Sequence, residues 1–295
     1  MKLNVALEGA ESGEVHAQFD LAHRYSTGDG VPQSWRNAAM WYQRAAAQGY
    51  TLAQCNLGMC YAHGLGVTQS WEQATKWFRE SAEMGHENAQ FNLGVCYERG
   101  DGVSQSMTAA AKWYREAAAR GHAQAQFNLG RCFEDGEGVP QSLSEAAKWF
   151  RMAAEQGSPL AMNSLGRCFA QGTGVLRSKA QAALWYREAA ERGNATAQFN
   201  LGVCHAYGRG VSQSWAEAVK WYLIAAESGD ADAQFNLGWC YGSGNGVSRS
   251  GIEAANWLRR AARQGHVKPQ SILDVHCRNV GDPDESWVDA ILWNA

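Results

Sequence analysis

The chain has 295 residues, of which 45% are hydrophobic and 19% are charged, and its formal net charge is −3. The charges form no long run of one sign, which argues against a nucleic-acid-binding protein, because such proteins usually carry a basic patch or stripe. No apolar run approaches the roughly 20 residues that a membrane-spanning helix needs, and the first ten residues, MKLNVALEGA, are too polar and too short for a secretory signal. We therefore expect a cytoplasmic protein with a folded core and with neither a nucleic-acid nor a membrane partner.

A 36-residue period organises most of the chain. The recurring pattern is A-Q-x-N-L-G-x-C-Y, then G-x-G-V, then a serine, then A-x-x-W-Y-x-x-A-A. The first motif places Ala89, Leu93 and Tyr97 four residues apart, which is the spacing of one face of a helix. We call this segment helix A, and a glycine such as Gly100, which can adopt a positive φ, is predicted to end it.

A serine begins the second helix of the repeat, helix B. Ser142 and Glu145, for example, have the spacing of a capping box. The G-x-G-V turn before this serine follows a helix, whereas a phosphate-binding loop follows a strand, so no such loop is predicted. His86 and His122 stand where Asn194 stands in a later repeat, and Asn is a common N-cap residue. We therefore predict that these histidines start helix A and are not metal ligands.

Six of the eight cysteines occupy one column, with one cysteine in each repeat. Equivalent helices of neighbouring repeats are expected to lie about 8–10 Å apart, whereas a disulfide needs Cα atoms within about 7 Å of each other. The column is therefore predicted to hold free thiols that pack as small apolar side chains. No Cys-x-x-Cys and no clustered Cys/His spacing occurs, so we predict no metal site and no cofactor. The column comprises Cys60, Cys96, Cys132, Cys168, Cys204 and Cys240.

These motifs together resemble the Sel1-like repeat family, a relative of the tetratricopeptide repeats. Tetratricopeptide repeats share L-G-x-x-Y, but their period is 34 residues and not 36. The resemblance covers residues 14–265 as seven repeats and implies an all-α fold, a right-handed α/α solenoid (superhelix) of helix-turn-helix repeats. We expect residues 1–13 to be a partial repeat or cap, and residues 266–295 to be a degenerate eighth repeat with a C-terminal capping helix. A detachable linear motif is the alternative for that last helix.

An asparagine column is predicted on the side of helix A that faces away from helix B. On a helical wheel, Gln90 and Leu93 face helix B, while Asn92 and Val95 lie on the other side, which faces the hollow of a superhelix. A side-chain amide has both a donor and an acceptor and can therefore bind a peptide backbone whatever its sequence. Asparagines at the matching place hold peptides in tetratricopeptide relatives, and the resemblance implies the same role here. The alternative is that these amides bridge neighbouring repeats or contact water. The column comprises Asn56, Asn92, Asn128, Asn200 and Asn236.

Two further sets of residues flank this column. The position three residues after the asparagine varies between repeats, as expected of a specificity surface. There Arg131 and Arg167 are candidates to hold an acidic side chain or a C-terminal carboxylate, and Trp239 offers an apolar end. The preceding phenylalanines are candidates for contacts with partner side chains, and packing between adjacent helix A segments is their alternative role. They are Phe91, Phe127, Phe199 and Phe235.

The sequence therefore predicts a non-enzymatic adaptor or scaffold that binds an extended peptide segment of a partner protein. One alternative is a weak hydrolase, because some cysteine-rich secreted relatives have been linked to β-lactam hydrolysis. Those relatives carry paired cysteines in each repeat and a signal peptide, and no Ser–Lys or Ser–His dyad stands out here, so no catalytic residue is predicted. A second alternative is a thiol sensor that uses Cys55 or Cys277, which lie outside the cysteine column; a low thiol pKa would favour it.

Overall fold

The computed structural model describes residues 3–265, and within this range the chain forms fifteen α-helices and no strand. Contacts divide the chain into two compact units, with the boundary after Ala153. The first unit contains, in order, α1 (Leu3–Glu11), α2 (Val15–Thr27), α3 (Trp35–Ala47), α4 (Thr51–His63), α5 (Trp71–Glu83), α6 (Glu87–Arg99), α7 (Met107–Ala119), α8 (Ala123–Asp135) and most of α9 (Leu143–Glu155).

The second unit contains the remaining helices that the structure describes. From α2 onward, the even-numbered helices are helix A and the odd-numbered helices are helix B, and each has 13 residues. The predicted helix-turn-helix repeat is therefore present in both units. The helices of the second unit are α10 (Pro159–Gln171), α11 (Lys179–Glu191), α12 (Ala195–Tyr207), α13 (Trp215–Glu227), α14 (Ala231–Ser243) and α15 (Gly251–Arg263).

The helix ends follow the predicted start and stop signals. Ser106 accepts a hydrogen bond from the backbone N–H of Ala109 at 3.2 Å and so caps α7. At the start of α6, Nδ1 of His86 accepts from a backbone N–H at 3.3 Å, which confirms that this histidine starts a helix. Gly100 ends α6 with φ of 82°, and its N–H donates to the carbonyl of Cys96.

In most repeats two glycines allow close approach between helices and turns, whereas the first repeat has Ala22 in place of one of them. A Cβ on Gly94 in α6 would lie 2.7 Å from the ring of Tyr114 in α7, so the aromatic side chain of helix B packs directly on the backbone of helix A. A Cβ on Gly102, whose φ is +70°, would lie 2.2 Å from the carbonyl oxygen of Trp71. The turn of one repeat therefore packs on the start of helix B of the repeat before it, which explains the second glycine of the G-x-G-V motif.

Alanine, leucine and cysteine fill the space between the helices. Ala89, Leu93 and Cys96 of α6 are at most 2% exposed, as are Ala110 and Tyr114 of α7. The short side chains permit tight contact, and the larger ring fills the remaining volume. The core of each unit is thus assembled from the same few positions of each helix pair.

The structure describes the N-terminal helix of the chain but not the residues after 265. Helix α1 contacts α2 in the first unit, and the side chain of Gln18 donates to the carbonyl of Ala10 at 3.1 Å, as equivalent residues do in later repeats. The predicted degenerate repeat and capping helix, residues 266–295, lie outside the described residues and stay a prediction. Among the helices from residue 3 to residue 265, none is both long and apolar enough to cross a membrane.

Candidate peptide-binding face

Two neighbouring amide side chains of helix A have opposite surroundings. Gln90 is 2% exposed, and its Nε2 donates to the carbonyl of Ala82, eight residues earlier in the last turn of helix B, at 3.1 Å. The last carbonyls of a helix lack intrahelical donors, so this amide satisfies the end of helix B. The helical wheel places Gln90 on the packing side but does not predict this bond, for which the recurring Gln eight residues after an alanine is the signal in the sequence. The same bond joins Gln18 to Ala10, Gln54 to Ala46, Gln126 to Ala118, Gln198 to Ala190 and Gln234 to Ala226.

The asparagine two residues later is half-buried and lies on the side of helix A away from helix B. We call the surface formed by the asparagine column and the variable column the open face. Nδ2 of Asn92 lies 3.6 Å from Sδ of Met59, and Nδ2 of Asn200 donates to Oδ1 of Asn163 at 3.1 Å. Asn236 donates to the backbone of its own helix. Bridging between repeats, the structural alternative, therefore occurs at Asn92 and Asn200.

Asn56 and Asn128 lie beside tyrosine hydroxyls of the preceding helix B. Burial raises the pKa of Tyr42, and hydrogen bonding to Ser26 and to Asn56 only partly opposes it. Burial also raises the pKa of Tyr114, whose hydroxyl donates to the Glu98 carboxylate. These two asparagines therefore help to solvate buried hydroxyls from the open face.

The phenylalanines before the asparagines pack on helix B, and Phe91 also contacts the residue that starts the adjacent helix A. The ring of Phe91 lies 6.0 Å from Tyr114 of α7 and is stacked on His122 at 4.6 Å. The same helix B contact joins Phe127 to Phe150 and Phe199 to Tyr222, each at 5.8 Å. The reason is the rotation of about 100° per residue, which turns each phenylalanine toward helix B relative to the next asparagine. Phe235 is half-buried beside Leu258 and its neighbours of α15.

The variable column is exposed at some repeats and packed at others. Arg131 and Arg167 are exposed, and Nη1 of Arg131 lies 4.0 Å from Oε1 of Glu98. Trp239 is half-buried, and its ring lies 5.3 Å from that of Trp215. Charged members of the column therefore reach solvent, whereas this aromatic member covers part of helix B.

The cysteines of the described chain are buried, which confirms the packing prediction. Burial raises the pKa of Cys60, Cys132 and Cys204 to about 11 and that of Cys55 and Cys240 to about 12. A reactive cysteine needs a lowered pKa, so the sensor alternative is disfavoured at Cys55, and Cys277 lies outside the described residues. No group of His, Cys, Asp and Glu that could hold a metal ion occurs between residues 3 and 265. The buried free thiols are Cys55, Cys60, Cys96, Cys132, Cys168, Cys204 and Cys240.

The model of the Sel1 repeat matches the chain seven times. The matched segments are residues 15–50, 51–86, 88–122, 123–158, 159–194, 195–230 and 231–266. No match is found among curated proteins.

Two solved structures share both the fold and about a third of the sequence. A protective antigen present in uropathogenic Escherichia coli strains, which displays an SLR fold, has a TM-score of 0.89 and 33% identity over 99% of this chain and 63% of that chain. A Sel1 repeat protein from Oxalobacter formigenes has a TM-score of 0.73 and 34% identity over 89% of this chain and 76% of that one. The chain thus spans less than two thirds of the first of these proteins. It belongs to the Sel1 repeat family, whose all-α solenoids are generally protein-interaction modules and not enzymes.

Proposed function

We propose that the chain is a non-enzymatic adaptor that binds an extended segment of a partner protein along the open face of its helix A segments. One observation carries the proposal: helix A presents a half-exposed asparagine two residues after a buried glutamine. The glutamine closes the end of helix B and is buried, whereas the asparagine keeps part of its amide exposed on the open face. The first unit offers Asn56, Asn92 and Asn128, and the second offers Asn200 and Asn236.

The chemistry of the amide explains why it suits this task. An extended peptide exposes one N–H and one C=O per residue, and a side-chain amide can pair with either. The contacts of Asn92 are with sulfur atoms, the thioether of Met59 and the thiol of Cys55, and sulfur is a weak acceptor. A peptide that took over the amide of Asn92 would therefore give up little intramolecular stabilisation. Sequence preference would come from the variable column, including Arg131 and Arg167.

The test is calorimetric titration with a partner peptide, which is first located by photo-crosslinking from position 59 on the first unit. The Asn92→Ala/Asn128→Ala variant should lose two neutral hydrogen bonds, each about 0.5–1.5 kcal/mol. The expected loss of affinity is therefore roughly 5- to 150-fold. It should depend little on the peptide's side chains, because the amides contact the backbone.

A matched control is Lys148→Ala on helix B, where the side chain is 69% exposed and pairs only with Glu145 on the surface. This control should leave both the affinity and the thermal midpoint unchanged. Unchanged affinity in the asparagine variant, or a midpoint lowered by many degrees, would assign these asparagines to the fold alone. Arg131→Ala should instead weaken acidic peptides selectively, with a marked salt dependence.

A further inference from the structure

One place between helix A, helix B and the next helix A is filled by a carboxylate in the first unit. The hydroxyl of Tyr114 in α7 donates to Oε2 of Glu98 in α6, and Arg131 of α8 approaches the other carboxylate oxygen at 4.0 Å. The cavity left there is only about 10 Å³. Glu98 thus acts as an internal ligand of a tyrosine hydroxyl and a guanidinium group.

The equivalent place in the second unit, 72 residues later, is open. Ala170 stands where Glu98 stands, and a pocket of about 290 Å³ lies between α10, α11 and α12. Tyr186 lines this pocket and is 6% exposed. Burial raises the pKa of its hydroxyl to about 12, so this hydroxyl is a protonated donor at neutral pH.

The charge of the two linings is opposite. Three cationic side chains, Arg177, Lys179 and Arg209, line the open pocket, and no acidic residue does. Nε of Arg177 donates to the carbonyl of Ala170 at 3.0 Å, which holds this guanidinium at the pocket edge. In the first unit the equivalent lining carries three acidic residues and one cation, Arg131; the acidic residues are Glu98, Asp135 and Glu137. A buried tyrosine donor in a pocket that cations line is suited to an anionic acceptor.

A third version of this place shows that the opening is not a general feature of the repeat. In the next helix pair, Trp215 and Trp239 occupy the positions of Lys179 and Val203, and their rings lie 5.3 Å apart. The place is filled by a carboxylate at one repeat, and two tilted indole rings occupy it at another. The open cationic version also includes Asn200 and Val203, which belong to the open face.

We infer that this pocket binds the carboxylate of a glutamate or aspartate side chain of the partner segment, in the way that its counterpart binds Glu98. The inference rests on the proposed function for its ligand. The bound carboxylate accepts a hydrogen bond from the Tyr186 hydroxyl and is neutralised by Arg177, Lys179 and Arg209. A glutamate side chain is the ligand class because the chain itself supplies one at the equivalent position.

The first experiment supplies the ligand from within the chain. Ala170→Glu should place a carboxylate beside Tyr186, so its thermal midpoint should lie above that of Ala170→Gln, which has the same shape without the charge. The difference should shrink in high salt and should fall in a Tyr186→Phe background. Equal midpoints of the two variants at low salt would overturn the assignment of a carboxylate.

The second experiment uses defined probes and the intact chain. Acetyl-Ala-Glu-Ala-amide is titrated against acetyl-Ala-Gln-Ala-amide by NMR, with the Arg Nε–Hε signals and the Ala170 amide as reporters. The Glu probe should bind about tenfold more tightly, because hydrogen bonds to charged groups are stronger than neutral ones. Ala170→Glu should abolish this binding, whereas Lys220→Ala, an exposed cation of the same unit outside the pocket, should not change it.

The remaining outcomes contradict the inference in distinct ways. Stronger binding of acetyl-Ala-Gln-Ala with a free C-terminus would assign a main-chain carboxylate instead, and stronger binding of inorganic phosphate would assign a phosphate site. Equal affinity for the Glu and Gln probes would show that the pocket does not recognise the negative charge. The asparagine variants lie in the first unit, so a failure of backbone binding there and a failure of this pocket are separate results.

Discussion

Helix A has a packing side that hardly changes between repeats and an open face that does. On the packing side, α6, α8, α12 and α14 share the same Ala, Gln, Leu, Gly and Cys. On the open face, the residue after the shared glycine is Val95, Arg131, Val203 or Trp239. The residues of the packing side are buried, and Gln90 and Gly94 meet a backbone carbonyl and an aromatic ring. The variable column is less constrained, because it is exposed at Arg131 and only half-buried at Val95 and Trp239. The fold therefore depends on one side of this 13-residue helix, and the proposed recognition would use the other.

The largest expected effect concerns the thiols of the packing side at alkaline pH. Their pKa values are raised to about 11–12 in the folded protein, whereas an unfolded cysteine has a pKa of about 8.5. The stabilisation is complete below the unfolded pKa and is lost as pH rises toward the folded pKa. Each such thiol should lower the free energy of unfolding by about 1.4 kcal/mol per pH unit between pH 9 and 10. Urea unfolding at pH 7.5, 9 and 10 measures this slope.

The control for this effect is the removal of two thiols at once. A Cys132→Ala/Cys240→Ala variant should start less stable at pH 7.5, because cavities are created, but its stability should fall less steeply with pH. A slope equal to that of the wild type would mean that these two thiols do not remain protonated in the folded state. An open-face residue without a thiol contact should not alter the slope, and Asn236→Ala is the matched variant that checks this.

Two glycines in α14, one turn apart, should respond to the same substitution with opposite signs. A Cβ on Gly238 would lie 2.7 Å from Cγ of Leu258, so Gly238→Ala should cost about 1–3 kcal/mol by overpacking. A Cβ on Gly242 would have its nearest neighbour at 3.8 Å, so Gly242→Ala should stabilise the helix by about 0.5–1 kcal/mol. Thermal and urea unfolding of both variants test the contrast. If Gly238→Ala were stabilising too, the close packing of helix B on this glycine would be disproved.

The two amides of α14 give a smaller version of the same contrast. Gln234 donates to the carbonyl of Ala226 at 3.1 Å and accepts from Gln264 at 2.9 Å. Gln234→Met keeps the volume, as Met162 does naturally at this position, but removes both bonds and should cost about 1–3 kcal/mol. Asn236→Ala should change the free energy of unfolding by less than about 0.5 kcal/mol. If urea unfolding gave equal losses of stability for Gln234→Met and Asn236→Ala, the glutamine column would not be more important for the fold than the asparagine column.

The sequence predicts well whatever depends on local backbone and on period. Residue type predicts the helix starts at serine and histidine and the helix end at Gly100, and the helical wheel predicts the packing direction of Leu93. These features depend only on residues within about one helical turn. The free thiols of the cysteine column also follow, since a fixed period keeps equivalent positions a fixed distance apart.

The sequence predicts poorly whatever depends on the angle between helices. The bond from Gln90 to Ala82 forms because the tight turn brings the end of helix B beside the start of the next helix A, and a wheel of one helix contains no such information. The pocket beside Tyr186 needs side chains of three helices and one missing carboxylate at Ala170. Neither Tyr186 nor Ala170 is unusual in its own helix. Only the comparison with Tyr114 and Glu98 shows that the carboxylate is missing beside Tyr186.

A final contrast lies among the buried glutamines themselves. Oε1 of Gln18 accepts from Nε2 of Gln48 at 2.8 Å, because glutamine is the C-cap residue of α3. Oε1 of Gln54 is buried and has no donor within the described chain. The position equivalent to Gln48 is Met84, the C-cap residue of α5, which is 72% exposed. One repeat of the first unit thus completes the glutamine's hydrogen bonds, and the next leaves the acceptor unpaired.

Met84→Gln should supply this missing donor and stabilise the protein by about 0.5–1.5 kcal/mol, the net value of a neutral hydrogen bond. Nothing buried is lost, because the methionine side chain is exposed, and Gln48 shows that a glutamine at this position reaches the acceptor. The gain should vanish in a Gln54→Met background, where no acceptor exists, so a double-mutant cycle in urea isolates the bond. A gain of equal size with and without Gln54 would come from replacing an exposed apolar side chain and would refute the proposed pairing.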